Sequence, residues 1–137
     1  MMLGMLILGI VLLGSAVVLA EPAPDKIGPT IGPVSVTQKP VLPSSTSSVG
    51  VAFTFKAQIM DSGSGVAEAY VELETKKEGM WTVEPMVRQS GDSRQGIYVG
   101  KSSLRARFFG RRLPYDITAK DKAGNVSVIS GYLIVGK

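Results

Sequence analysis

The sequence predicts an all-β protein, an antiparallel β-sandwich of about seven strands preceded by an apolar N-terminal helix. Three observations lead there. Several short runs alternate apolar and polar residues with the period of a half-buried strand. Between them, Gly, Pro, Asp, Asn and Ser recur at regular spacing. The first 20 residues, finally, carry no charge and differ from everything that follows.

Met1 to Ala20 is interrupted only by Ser15 and by Gly4, Gly9 and Gly14. Coiled as a helix, a run of this length just crosses a hydrocarbon layer of about 30 Å. Leu3, Leu6, Ile7, Ile10, Leu13 and Val17 are its candidate anchoring or assembly residues. Three readings stand open. In the first the segment is a signal peptide, cleaved after Val18-Leu19-Ala20, although no basic residue precedes the apolar run. In the second it is an uncleaved membrane anchor. In the third it packs in the core of a filament. All of them put the rest of the chain outside the cytoplasm.

Glu21 to Pro33 holds prolines at 22, 24, 29 and 33 and glycines at 28 and 32, the composition of an extended, semi-stiff linker. The sandwich is expected over 34–137. Val34 and Val36 begin the alternation, and the stretch from Pro40 to Ser48 breaks it. Val51, Phe53, Phe55, Ala57 and Ile59 then form one apolar face, and Asp61-Ser-Gly-Ser-Gly65 turns the chain. Ala67, Ala69, Val71 and Leu73 point inward, with Glu68, Tyr70, Glu72 and Glu74 outward. A strand follows from Trp81 to Arg88, with Trp81 expected in the core, and a short one over Gly96 to Val99. The pattern from Leu104 to Arg112 is ambiguous. Tyr115 to Lys120 and Asn125 to Val135 close the set around the turn Asp121-Lys-Ala-Gly-Asn125, with Val126 on the core face and a bulge at Gly131.

Three of these segments share their order and wording with a known family. Asp61-Ser-Gly-Ser-Gly-Val66, Gly96-Ile-Tyr98 and Tyr115-Asp-Ile-Thr-Ala-Lys-Asp-Lys-Ala-Gly-Asn125 resemble the turns and strands of bacterial Ig-like and fibronectin type III-like modules. The resemblance spans roughly residues 30–137. It implies an extracytoplasmic part in surface structure, adhesion or spacing, with other proteins or cell-surface polymers as partners. Met1 to Pro22 more faintly resembles the N-terminal helix of a type IV pilin, with its apolar start, Gly14 and Pro22. Met5, however, stands where bacterial pilins usually carry glutamate. That likeness implies a homo-polymer, whose neighbouring subunits, or else a membrane, are contacted through residues 1–20.

The chain has no Cys and no His. Thiolate chemistry, a Ser-His-Asp arrangement and the commonest metal ligand are therefore all missing, and no catalytic residues, cofactor or metal are expected. A net charge of +4 is spread among acidic residues, without the concentrated stripe of a nucleic-acid binder. Asp61, Ser62, Ser64, Asp121 and Asn125 carry the oxygens calcium prefers, but turn chemistry accounts for each of them. The densest cationic group is Lys101, Arg105, Arg107, Arg111 and Arg112 around Leu104, Phe108 and Phe109. It reads either as an interaction patch or as cations guarding an exposed sheet edge while one Phe caps the core. Asn125-Val-Ser127 matches the glycosylation pattern. Trp81 with the exposed Tyr residues suggests a third function, carbohydrate binding.

Overall fold

Alternating side chains demand a pleated backbone with one face buried, and the computed structural model, which describes residues 23–43, 49–75 and 81–136, is built of such strands. They are β1 (Thr30–Val41), β2 (Gly50–Met60), β3 (Val66–Leu73), β4 (Thr82–Gly91), β5 (Gln95–Arg105), β6 (Arg112–Asp121) and β7 (Val126–Ile134). Among the described residues the helical content is a single 3₁₀ turn, Ala106–Phe108. All pairings are antiparallel, in the order β1-β2-β5-β4-β3-β6-β7.

β4 joins the two halves of this sheet. Its first residues pair with β3, from Thr82↔Leu73 to Met86↔Ala69, and its last with β5, from Met86↔Gly100 to Gly91↔Gly96. A strand that changes partner in this way turns a corner between layers. At the other seam β1 approaches β7, and a side chain bridges the edges. Gln38 Nε2 donates to the Ile134 carbonyl at 2.9 Å, and the Gly136 N–H donates to Gln38 Oε1 at 2.7 Å. The result is an all-β, nearly closed barrel.

Its core draws on both halves. Phe53, Phe55 and Ile59 of β2 are fully buried, as are Val71 and Leu73 of β3 and Ile117 of β6. The Phe55 ring meets that of Tyr115 edge-on, with centroids 5.4 Å apart. Burial pushes the Tyr115 phenol above its usual range. Each large side chain removed from water here contributes about 1.5–3 kcal/mol.

Several expectations are corrected. Gly131 is no bulge, because β6 and β7 keep one register from Arg112↔Ile134 to Lys120↔Val126. The glycine instead makes room for its cross-strand partner: a Cβ there would sit 2.6 Å from Tyr115 Oη. Val126 is not in the core but 56% exposed, since it lies opposite the exposed Lys120. Ala67 is exposed as well, because the β3–β6 register shifts between Val66 and Glu68. Trp81 is half-buried and outside the core cluster. β1 opens at Thr30 and runs through Pro40, which an edge strand tolerates. The ambiguous stretch 104–112 divides into the end of β5, the 3₁₀ turn and the start of β6. The apolar segment, with Leu3, Leu6, Ile7, Ile10, Leu13 and Val17, lies outside the described residues.

Candidate functional site

The direction of the strands gives the molecule two ends. β1 starts where β2 finishes (Thr30↔Met60) and finishes where β5 does (Val41↔Gly50↔Arg105). The linker arrives at the first, the tether end, which also carries the β2–β3, β4–β5 and β6–β7 turns. The second, the distal end, carries the β1–β2 and β5–β6 connections.

At the tether end Asp25 pins the incoming chain. Its Oδ2 accepts from the Ser64 N–H at 3.0 Å and the Ser64 hydroxyl at 2.8 Å, and its Oδ1 accepts from the Ile27 N–H at 3.1 Å. Asn125 Nδ2 in turn donates to the Asp25 carbonyl at 3.0 Å and to Asp121 Oδ2 at 2.8 Å. One residue of the linker is thereby tied to two turns of the barrel.

The turn roles expected of Asp61 and Asp121 are visible. Asp61 Oδ2 accepts from the Gly65 N–H at 2.9 Å and Asp121 Oδ1 from the Asn125 N–H at 2.8 Å, closing loops in which Gly65 and Gly124 take positive φ. Carboxylate oxygens of Asp25, Asp61 and Asp121 lie within 4.8 Å of one another. Oxygens of this kind suit a hard cation, yet calcium takes about six to eight, and each carboxylate here already accepts a turn hydrogen bond. Asp25 had no local signal in the sequence; it reaches Ser64 and Asn125 across 39 and 100 positions. Because Asn125 commits its amide nitrogen to two acceptors, a glycan on that atom, which leaves a single N–H, would cost at least one of the two bonds.

The backbone N–H of Ser64, then the Ser64 hydroxyl and the Ile27 N–H, hold the Asp25 carboxyl down at about 2, against an ordinary 3.8. A carboxyl depressed on folding contributes stability above its unfolded value and loses it as pH falls through the folded one. The pin is therefore expected to weaken between pH 3.8 and about 2. A carboxyl titration followed by NMR checks this, with a midpoint near 2 expected for Asp25 and a rise in Ser64→Ala. An ordinary midpoint in the intact protein would mean that the linker is not held.

At the distal end the structure brings together most of the predicted patch. Phe108 is buried and caps the core; Phe109, one residue on, is 47% exposed. The Arg107 and Arg111 guanidinium groups lie 5.0 and 5.2 Å from the centre of the Phe108 ring, and Arg112 lies 3.4 Å from that of Tyr132. Arg105 ends β5 beside Gly50. Stacking on a ring contributes roughly 0.5–1 kcal/mol and holds the guanidinium in place. Lys101 is set apart, half-way along the barrel opposite Thr54, where it borders a hollow of about 410 Å³ with Val87 and Val99.

β1 and β7 end the strand order, but Lys101–Arg105 of β5 pair only with β2, and Arg112 of β6 pairs only with β7. Lys101, Arg105 and Arg112 lie on stretches whose backbone pairs on one side only, as cations guarding a local edge would. Beside Phe109 lies a cavity of about 460 Å³ lined by Pro40, Val51, Val135 and the bridging Gln38. Glu68 sits opposite Lys120 on the outer face of β3.

Among the described residues no helix is long and apolar enough to cross a membrane. No protein-family model matches the chain, and no curated protein matches it at a significant level.

Proposed function

We propose that the chain is a non-enzymatic, extracytoplasmic module of the Ig-like or fibronectin type III-like kind. It acts by contact, in surface structure, adhesion or protein–protein interaction, held from one end and binding at the other. The single observation carrying this reading is the opposition of the two ends. The pinned linker stands at one pole of the barrel, and four exposed arginines with exposed Phe109 stand at the other. The strand order supports the family: β1-β2-β5-β4 followed by β3-β6-β7 is the connectivity of a seven-strand Ig-type sandwich. A chain without His or Cys has little with which to catalyse.

A second reading, a subunit of a filament with residues 1–20 in its core, draws on the outer face of β7. Val126, Val128, Tyr132 and Ile134 are exposed there in one row, an apolar stripe that neighbouring subunits could cover.

Protease treatment of intact cells, followed by mass spectrometry, tests the proposal. Peptides of residues 23–136 are expected to be released without lysis; full protection until lysis would sink the extracytoplasmic reading. The same spectra separate the two forms of it. A chain starting at Glu21 has lost its apolar segment and cannot use it as an anchor or a filament core. One starting at Met1 retains it, and electron microscopy then distinguishes an anchored monomer from a polymer.

A further inference from the structure

We propose that the distal end docks on an anionic lipid surface. The proposal deepens the reading of that end as a contact surface and rests on it.

Chemistry and shape both point to lipid. Leu42 is 76% exposed, Phe109 47% and Val49 43%, and all three sit on the connections that form this end. The two loops are joined, because the Ala106 N–H donates to the Val49 carbonyl at 3.0 Å. Three exposed apolar residues are thus presented at one end of the barrel. Arg105, Arg107, Arg111 and Arg112 flank them, all exposed. Among the described residues no carboxylate neutralises these four; the contacts that Arg107, Arg111 and Arg112 make are with aromatic rings.

A guanidinium fork matches phosphate oxygens, and stacking leaves its N–H edge free to meet them. At a bilayer, single apolar side chains enter below the headgroups while cations remain level with the phosphates. A protein partner would instead need a continuous complementary surface of about 800 Å². Exposed apolar side chains among four exposed arginines carry the charge and the apolar groups that an anionic lipid surface accepts.

The tether gives this contact a direction. A strand of twelve residues, such as β1, spans about 40 Å. From Ala20 to the pinned Asp25 is five residue steps, a reach of at most about 18 Å. The distal end is therefore the pole of the barrel farther from the pinned linker.

The test uses the full chain. It is placed in nanodiscs of neutral phosphatidylcholine where residues 1–20 insert, or kept free in buffer where they do not. Binding to vesicles containing about 30% phosphatidylglycerol is then followed by flotation. Capture by anionic but not neutral vesicles is expected, weakening as salt rises from about 0.1 to 0.5 M. Changing Arg105, Arg107, Arg111 and Arg112 together to Gln is expected to reduce capture by up to about a thousandfold with the melting temperature little changed. The four-Lys variant keeps most of the binding, since a lipid surface reads charge, and Phe109→Ser with Leu42→Ser lowers it at constant charge.

Three outcomes overturn the proposal. One is equal capture by neutral vesicles. Another is no capture of anionic vesicles by a folded chain. The third is retention by polyglutamate with loss in the four-Lys variant, which would make the partner an acidic protein and leave the contact-module reading intact. Failure to enter nanodiscs bears on the anchor alone, because the free chain still reports on the distal end.

Discussion

Replacing Phe55 with alanine is expected to lower the unfolding free energy by about 3–5 kcal/mol, the cost of removing a large side chain from a packed interior. Phe55 is fully buried and lies on β2, which pairs with both β1 and β5. Its ring also meets Tyr115 of β6, so one side chain ties the two halves of the barrel together. Lost transfer energy, a cavity and a lost edge-on ring contact all act in the same direction. Thermal unfolding should show a midpoint lower by on the order of 15 °C. Phe109→Ala, at an exposed tip, should stay within about 0.5 kcal/mol and serves as the internal control. A Phe55→Ala loss below about 1 kcal/mol would contradict the packing of β2 against β6.

Asp121→Ala is the second large effect, expected to cost about 2–3 kcal/mol. The carboxylate is 1% exposed and accepts both the backbone N–H and the side-chain amide of Asn125. Removing it leaves two donors without their charged acceptor and loosens the turn to which the linker is tied. A competing effect is the relief of repulsion from Asp25 and Asp61, whose oxygens are close. The hydrogen bonds should win, because a bond to an ionised acceptor contributes about 1.5–3 kcal/mol, and Asp25 stands where solvent screens it. Asp121→Asn separates the two effects, since it keeps an oxygen for the Asn125 N–H while discharging the cluster. Denaturant unfolding checks both variants. An alanine variant as stable as the parent would show that repulsion dominates.

How much of this was legible in the sequence depends on how local each cause is. The inward row Phe53, Phe55, Ala57 and Ile59 is strictly alternating, with polar residues between, and β2 forms as expected. The Asp121–Asn125 turn was equally legible, because its hydrogen bonds span four residues. Beyond it the pattern becomes degenerate. Both faces of β7 are apolar, with Val126, Val128, Tyr132 and Ile134 on one and Ile129, Leu133 and the following Val135 on the other. Alternation cannot choose between such faces, and the register chooses instead. Lys120↔Val126 puts Val126 outside, and Ile117↔Ile129 puts Ile129 inside.

The candidate site follows the same division. The arginines were visible as a dense cationic run, but which of them stand beside one-sided backbone depends on where β4 leaves β5 and β3 leaves β6, a property of topology. The part played by Asp25 depends on contacts with two distant turns and has no signature near position 25.

The long antiparallel run of β1 against β2, from Thr30↔Met60 to Val41↔Gly50, has a mechanical consequence. Tension entering through the linker and resisted at the distal end is directed along the strands. The hydrogen bonds between β1 and β2 then bear it together in shear instead of parting one after another, as they would if the strand were peeled from its side. A module loaded in this way sets many hydrogen bonds against the pull at once, and the side-chain bonds of Asp25 are the first non-covalent contacts that the force meets.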